Sequence, residues 1–267
     1  MKISGHLYNW KILIILLVCL STIISASVIA TCSNSSNTEP NTVYATNTTT
    51  IKVLIYNGND ALSSSVNGIK NSLNYMNSHN TIKNVKFTYA TSSSINSATL
   101  SSYDVLIMPG GTSGRSYLGN SKIKGADIKK FVSEGKGYVG ICAGSYAASY
   151  KVDGYYYGWG IAPHVNCKAV SYVGQLPISM TSNGKTILNY AGTQTIYHWN
   201  GPAIYIKSPA FSMATYTDSK THYKGYTAIV GDTYGSGRVV LSGPHPELSP
   251  TKPEMLGRMI MWAAKKS

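Results

Sequence analysis

Gly137-Tyr138-Val139-Gly140-Ile141-Cys142-Ala143-Gly144-Ser145-Tyr146 is the stretch on which the fold turns. An apolar, β-leaning run ends at a cysteine set among glycines, and small helix-compatible residues follow it. The pattern reads as strand, sharp turn, helix, with Cys142 at the turn. That is the shape of a nucleophile elbow, with cysteine in place of serine. A turn that lifts one side chain clear of the backbone needs neighbours without bulk, which Gly140 and Gly144 supply. A helix beginning just after the sulfur would aim backbone N–H groups at it and favour the reactive thiolate. The same residues also suit a structural cysteine in a strand-to-helix turn, since free cysteine is commonly buried.

Upstream of the elbow, strand and helix signals alternate. Ile51 to Tyr56 is a buried-strand pattern, followed by Asn57-Gly58-Asn59-Asp60, a turn with helix-capping residues. Val66, Ile69, Leu73 and Met76 recur at helical spacing. Val85 to Tyr89 and Val105 to Met108 read as strands, the latter ending in Pro109-Gly110-Gly111. Ile123 to Glu134 reads as a helix closed by Gly135, and Tyr138 to Ile141 as a fourth strand. The alternation implies an α/β fold, a mostly parallel sheet with helices on both faces, in which ligands bind at the carboxyl ends of strands. Pro109-Gly110-Gly111 and Cys142 both occupy such ends.

Downstream the pattern changes. From Tyr155 to about Val230, Tyr, Gly, Thr and Pro are dense and helical periodicity is lacking. This predicts short antiparallel strands and loops inserted into the α/β frame, placed where they could cover the site. Tyr226 to Val230 and Gly237 to Ser242 read as strands around a Tyr234-Gly235-Ser236-Gly237 turn, and Pro253 to about Ala264 as a last helix.

The N-terminal residues are of another kind. Lys2 and Lys11 precede Ile12 to Ala30, a run without charge, which reads as a secretory signal or a single membrane anchor over residues 1–31. Positive charge before the run puts that end in the cytoplasm and the rest outside. Ile29-Ala30-Thr31-Cys32 comes close to a lipidation motif, though Thr31 is not its usual small residue, so lipid on Cys32 ranks below a plain signal or anchor. Residues 32–50 are Asn/Ser/Thr-rich and cannot bury enough apolar surface to fold, so they read as a tether. Asn34 and Asn47 each begin a glycosylation sequon. The folded domain is expected over 51–267, within a chain of 267 residues.

Composition narrows the partners. Lys plus Arg outnumber Asp plus Glu by 23 to 10, for a net charge of +13, but the lysines are scattered and no basic run with interleaved aromatics occurs. A mildly basic solvated surface is expected, and no nucleic-acid partner. The four cysteines, Cys19, Cys32, Cys142 and Cys167, form no disulfide framework, and no Cys/His cluster has zinc spacing. No metal and no cofactor are expected.

Three residues converge on one chemistry. A thiol nucleophile needs a base, and the base needs a carboxylate to fix its tautomer. Cys142, His245 and Glu247 supply these in order, His245 following an apolar strand and Glu247 standing just beyond it. An oxyanion hole needs two backbone N–H groups. Ala143, after the nucleophile, offers one, and Gly110 or Gly111 the other. Taken singly, His245 also reads as a loop-capping histidine and Glu247 as an acidic residue before a helix. Tyr146 and the segment Tyr197-His198-Trp199-Asn200-Gly201-Pro202, above all Trp199 and Asn200, are candidates to line a pocket for a small polar substrate. Trp159, His164 and Tyr205 are further candidates, and each equally suits ordinary packing of a Tyr-rich insert. Cys167 has no motif around it.

Met108-Pro109-Gly110-Gly111, Gly140-Ile141-Cys142-Ala143-Gly144-Ser145-Tyr146 and Gly237 to Glu247, ending Ser242-Gly243-Pro244-His245-Pro246-Glu247, together resemble the class I glutamine amidotransferase-like superfamily. The resemblance is nearest to the amidotransferase-like domain at the N-terminus of biotin–protein ligases and covers 51–267. It implies a flavodoxin-like, doubly wound sheet, a triad on Cys142, His245 and Glu247, and an oxyanion turn on Gly110 and Gly111. The biotin-activating half and its Gly-Arg-Gly-Arg signature do not occur in this sequence, so biotin ligation is not expected of it. The expectation is an exported or membrane-anchored protein whose thiol site hydrolyses, or transfers the acyl group of, a small amide. The alternative is a non-catalytic small-ligand-binding or surface interaction protein on the same fold. The protein partner, if any, is unknown.

Overall fold

The computed structural model describes residues 47–267. The expectations for a signal or anchor at 1–31, for lipid on Cys32, for the Asn34 sequon and for most of the linker lie outside the described residues. Asn47 is exposed at their start. Among the described residues, no helix is long and apolar enough to cross a membrane.

The elements follow in chain order. The first half holds β1 (Thr49–Tyr56), α1 (Ser63–His79), β2 (Val85–Ser92), α2 (Ser97–Leu100), β3 (Val105–Met108), α3 (Gly114–Gly119), α4 (Gly125–Ser133), β4 (Gly137–Ile141) and α5 (Ala143–Ala148). Then come β5 (Ser149–Val152), β6 (Tyr156–Tyr157), β7 (Ala162–Lys168), β8 (Val173–Met180), α6 (Ser182–Leu188), β9 (Thr193–Trp199), β10 (Ala203–Ile206) and β11 (Phe211–Tyr216). The chain closes with β12 (Thr227–Tyr234), β13 (Gly237–Ser242) and α7 (Pro253–Ala263).

The heart of the sheet runs β2-β1-β3-β4-β13, every neighbouring pair parallel. Both faces are covered, which is why these strands are continuous apolar runs. In β1, Ile51, Val53 and Ile55 join a core with Ile69 and Leu73 of α1 and Leu256 and Ile260 of α7. Leu54 and Tyr56 face the other way, into a core with Ile128 and Val132 of α4 and Ala143 and Ala147 of α5. The doubly wound α/β architecture is as expected.

Three details differ from the sequence reading. The linker ends before Thr49, because Thr49 and Thr50 already pair with Val85 and Lys86 of β2. Helix α1 has Leu62 at its N-cap with no side-chain cap, and the Asn57-Asp60 turn is used elsewhere. There Tyr56 donates its hydroxyl to the Asn59 carbonyl, and Asp60 O accepts the Thr112 N–H. The Tyr-rich insert forms short antiparallel strands, as expected: β12 pairs antiparallel with β13, and β10, β7, β5 and β6 carry the same sheet outward. Finally, the insert contains a helix, α6, whose start is capped by Thr181 Oγ1 accepting the Gly184 N–H at 3.1 Å. It is short and buries only Gly184 and Leu188, so it leaves almost no periodic signal.

Parallel register aligns the functional ends. Met108 lies opposite Gly140, and Ser242 opposite Ile141. The segments leaving β3, β4 and β13 therefore emerge side by side. Replacing Ile69, fully buried on α1, by Ala should cost about 2–5 kcal/mol in urea unfolding, whereas Asn71→Ala on the exposed side of the same helix should stay within about 0.5 kcal/mol.

Candidate active site

Cys142 stands between β4 and α5 at φ 52°, ψ −105°. This is outside the left-handed helical region that Asn80 occupies at φ 46°, ψ 40°, and a backbone so placed costs on the order of 1–3 kcal/mol. The surroundings hold it there. Cys142 N–H donates to Ser242 O at 2.8 Å. Ser145 Oγ lies 2.8 Å from both Gly140 O and Ser242 O, tying the first turn of α5 to β4 and β13. Gly144 sits so close to β3 that an added Cβ would lie 2.1 Å from Met108 O. The elbow is thus wedged between three strands, and its sulfur is pushed to the surface of a cavity.

Behind Cys142 lies a buried polar chain. His245 Nδ1–H donates to Glu247 Oε1 at 2.8 Å, and both side chains are fully shielded from solvent. Ser65 Oγ donates to the same carboxylate oxygen at 2.6 Å and accepts the Gly110 N–H at 2.9 Å. The His245 N–H is itself anchored to Tyr197 O at 2.8 Å, so the insert strand β9 fixes the histidine loop. Gly110 is a glycine of necessity, since a Cβ there would lie 2.6 Å from His245 Cε1. Burial by itself pushes the His245 pKa down. The Glu247 charge and the Cys142 sulfur beside the ring outweigh it and bring the value up to about 10. His245 Nε2 is buried with no hydrogen-bond partner among the described residues. The Cys142 thiol donates instead to Trp199 O at 3.2 Å.

The cavity beside the sulfur has a volume of about 480 Å³. Its wall includes Gly111, Ala143, Tyr146, Val170, Trp199 and Asn200, so the pocket candidates Tyr146, Trp199 and Asn200 all meet there. Tyr146 OH donates to Asn200 O at 3.0 Å and accepts the Val170 N–H at 3.2 Å, which ties α5 to the insert. The N–H groups of Gly111 and Ala143 are unpaired among the described residues. Gly110 corrects the sequence reading, because its N–H is spent on Ser65 Oγ and is not a donor toward the cavity.

The other candidates sit apart from the cavity wall. Trp159 packs on Gly125, His164 Nδ1 pairs with Asp232 at 2.9 Å, and Tyr205 donates to Asp153 at 2.5 Å. Cys167 is buried, and burial raises its thiol to about 12. His198 is buried between Tyr172 and Tyr216, with Nδ1–H donating to Tyr172 O at 3.0 Å. Burial holds its pKa at about 4. The residue that sequence reasoning missed is Ser65. Its one signal is position, a serine one helical turn before Ile69 on the apolar stripe of α1.

Residues 51–158 match the family model described as biotin–protein ligase, N-terminal. Solved structures with the same chain path include the PurLQS structure from Thermotoga maritima, at 14% identity and TM-score 0.56, covering 80% of this chain and 97% of that one. A putative GMP synthase subunit from Thermoplasma acidophilum follows at 12% identity and TM-score 0.54, covering 80% and 94%. The fold is class I glutamine amidotransferase-like. A putative ThuA-like protein from Bacteroides uniformis shares the fold at 12% identity and TM-score 0.53, covering 80% and 91%. No curated protein sequence matches the chain significantly.

The two shielded histidines titrate in opposite senses. His198 binds a proton less readily in the folded chain than its ordinary 6.5, so its contribution is full above about pH 6.5 and is lost as pH falls toward about 4. His245 binds one more readily, so its contribution is full below about pH 6.5 and is lost as pH rises toward about 10. Stability measured by urea titration should peak near pH 6.5, with neither histidine adding a slope above about 1.4 kcal/mol per pH unit. His198→Gln should flatten the acid flank alone, and Glu247→Gln the alkaline flank alone.

Proposed function

We propose that this amidotransferase-like chain is a thiol enzyme that hydrolyses a small amide or transfers its acyl group, with Cys142 as nucleophile, His245 as proton carrier and Glu247 as the group that orients the imidazole. The observation that carries the reading is the strained Cys142 backbone, which presents the sulfur to a cavity while a buried His245–Glu247 pair stands behind it. Strain of this kind at a cavity mouth is a feature of functional sites.

The chemistry follows from the placement. The sulfur gives an electron pair to the amide carbonyl carbon, and His245 holds the thiol's proton on Nε2. Charge moves to the carbonyl oxygen, where the Gly111 and Ala143 N–H groups can receive it. The C–N bond then breaks as Nε2 passes its proton to the leaving amine, and a thioester remains on Cys142. Water gives a proton to His245 and adds to the thioester carbon. The C–S bond breaks, an acid is released, and the thiol recovers its proton. An amine in the place of water makes the step an acyl transfer. Tyr146, Trp199 and Asn200 bound the space that the substrate fills.

We place this domain outside the membrane, secreted or held there by the N-terminal apolar run and its Asn/Ser/Thr-rich tether, with lipid on Cys32 the lesser option. Biotin ligation is not part of the proposal. A second reading, small-ligand binding without turnover, draws on the Cys142 thiol donating to Trp199 O at 3.2 Å.

Incubation with a panel of small amides, acid quench and mass mapping separates the two. The thiol reading expects an acyl adduct on Cys142 and product release, with Cys142→Ala giving none and His245→Gln slowing release by at least about 100-fold. Ligand binding that survives Cys142→Ala, with no adduct on any amide, favours the second reading.

A further inference from the structure

Among the described residues, the wall of the cavity beside Cys142 holds no acidic or basic side chain, no Asp, Glu, Lys, Arg or His. Its apolar wall is built from Leu62, Val152 and Val170 with the rings of Tyr146 and Tyr156, and two aromatic side chains stand at its exposed edge, Tyr155 at 64% and Trp199 at 38% exposure. The polar side chains among its lining residues are neutral, Thr112, Ser113 and Asn200 beside the tyrosines, and the Gly111 and Ala143 backbone also borders it. Arg115 follows the lining residue Gly114 but stands outside the wall. Its guanidinium donates to Tyr155 O at 3.0 Å and lies 5.2 Å from the centre of the Tyr156 ring.

We propose that this site takes an uncharged amide whose acyl side is apolar or aromatic, and that it discriminates against free amino-acid amides such as glutamine. The proposal rests on the thiol reading of Cys142 and names the substrate class of that site. A free amino acid would bring an ammonium and a carboxylate into a cavity whose wall has no oppositely charged side chain for either. Desolvating an unpaired ion costs several kcal/mol, more than the cavity's few neutral donors return. A neutral acyl group meets the opposite situation. Its apolar part is removed from water against Leu62, Val152 and Val170, and a ring can stack on Trp199 or Tyr155 in offset or edge-on geometry. The single carbonyl finds the two backbone N–H groups beside the sulfur.

Two chloromethyl ketones of similar size test this on the full chain. One is derived from N-acetylphenylalanine and is uncharged. The other is a glutamine analogue with a free α-amino and α-carboxylate group. In each case the sulfur forms a C–S bond as the C–Cl bond breaks, chloride leaves with the electron pair, and the thiol's proton goes to His245 or solvent. Rates at Cys142, followed by mass mapping, are divided by each reagent's rate with glutathione. The neutral reagent should label Cys142 at least tenfold faster than the charged one, and Trp199→Ala should reduce that preference several-fold when each rate is divided by the same protein's iodoacetamide rate. Equal or faster labelling by the glutamine analogue overturns the substrate class and leaves the thiol reading standing. Failure of both reagents and of iodoacetamide to label Cys142 overturns the thiol reading and the substrate class together.

Discussion

The turn at Cys142 is possible only because three strands close around it. A residue with a Cβ at φ 52°, ψ −105° gains nothing locally from that backbone, so the conformation must be imposed. Ser145 imposes it from one side, with Oγ lying within 2.8 Å of carbonyls on both β4 and β13. Gly144 permits it from the other, because it lets α5 rest directly on the end of β3. The parallel register of β3, β4 and β13 then decides what the sulfur meets. Gly111, Ala143 and His245 come from three different strand ends, and the lateral order of the sheet brings them to one place.

The polar chain behind the sulfur is a second consequence of that geometry. Burying an imidazole and a carboxylate costs desolvation free energy that only good partners offset. Here His245 and Ser65 both donate to Glu247 Oε1, and Ser65 also accepts the Gly110 N–H. The chain therefore links the histidine to the start of α1 and to the turn after β3. It also explains the division of labour between the two glycines of that turn. Gly110 must lack a Cβ to admit His245 and gives its N–H to Ser65, while Gly111 borders the cavity with its N–H unpaired among the described residues.

Much of the frame was legible in the residues because its signals are local. The strands over 51–56, 105–108 and 138–141 are apolar runs bounded by turn residues, and the α1 stripe has strict helical spacing. Cys142, His245 and Glu247 were legible because each follows an apolar strand in a wording that an amidotransferase-like chain shares. What stayed hidden depends on contacts distant in sequence. Ser65 and Glu247 are 182 positions apart, and no local pattern announces their hydrogen bond. Gly110 and Gly111 look alike in the sequence and differ only in which partner each N–H meets. The insert's short antiparallel strands were legible as a class, but their pairing was not, because it is through β12 that they join the central sheet. Trp159, His164 and Tyr205 were attractive by residue type, but the fold spends them on packing and on the carboxylates of Asp232 and Asp153.

The central claim is that His245, held by Glu247, governs the reactivity of the Cys142 sulfur. The most direct measurement is the pH dependence of Cys142 alkylation by iodoacetamide, read by mass mapping, in the native chain and in His245→Gln. The account predicts that the native chain labels rapidly at Cys142 with a profile that changes its midpoint and falls in rate at neutral pH by at least about tenfold in the variant, while buried Cys167 stays unlabelled in both. Superimposable profiles for the two proteins would contradict it.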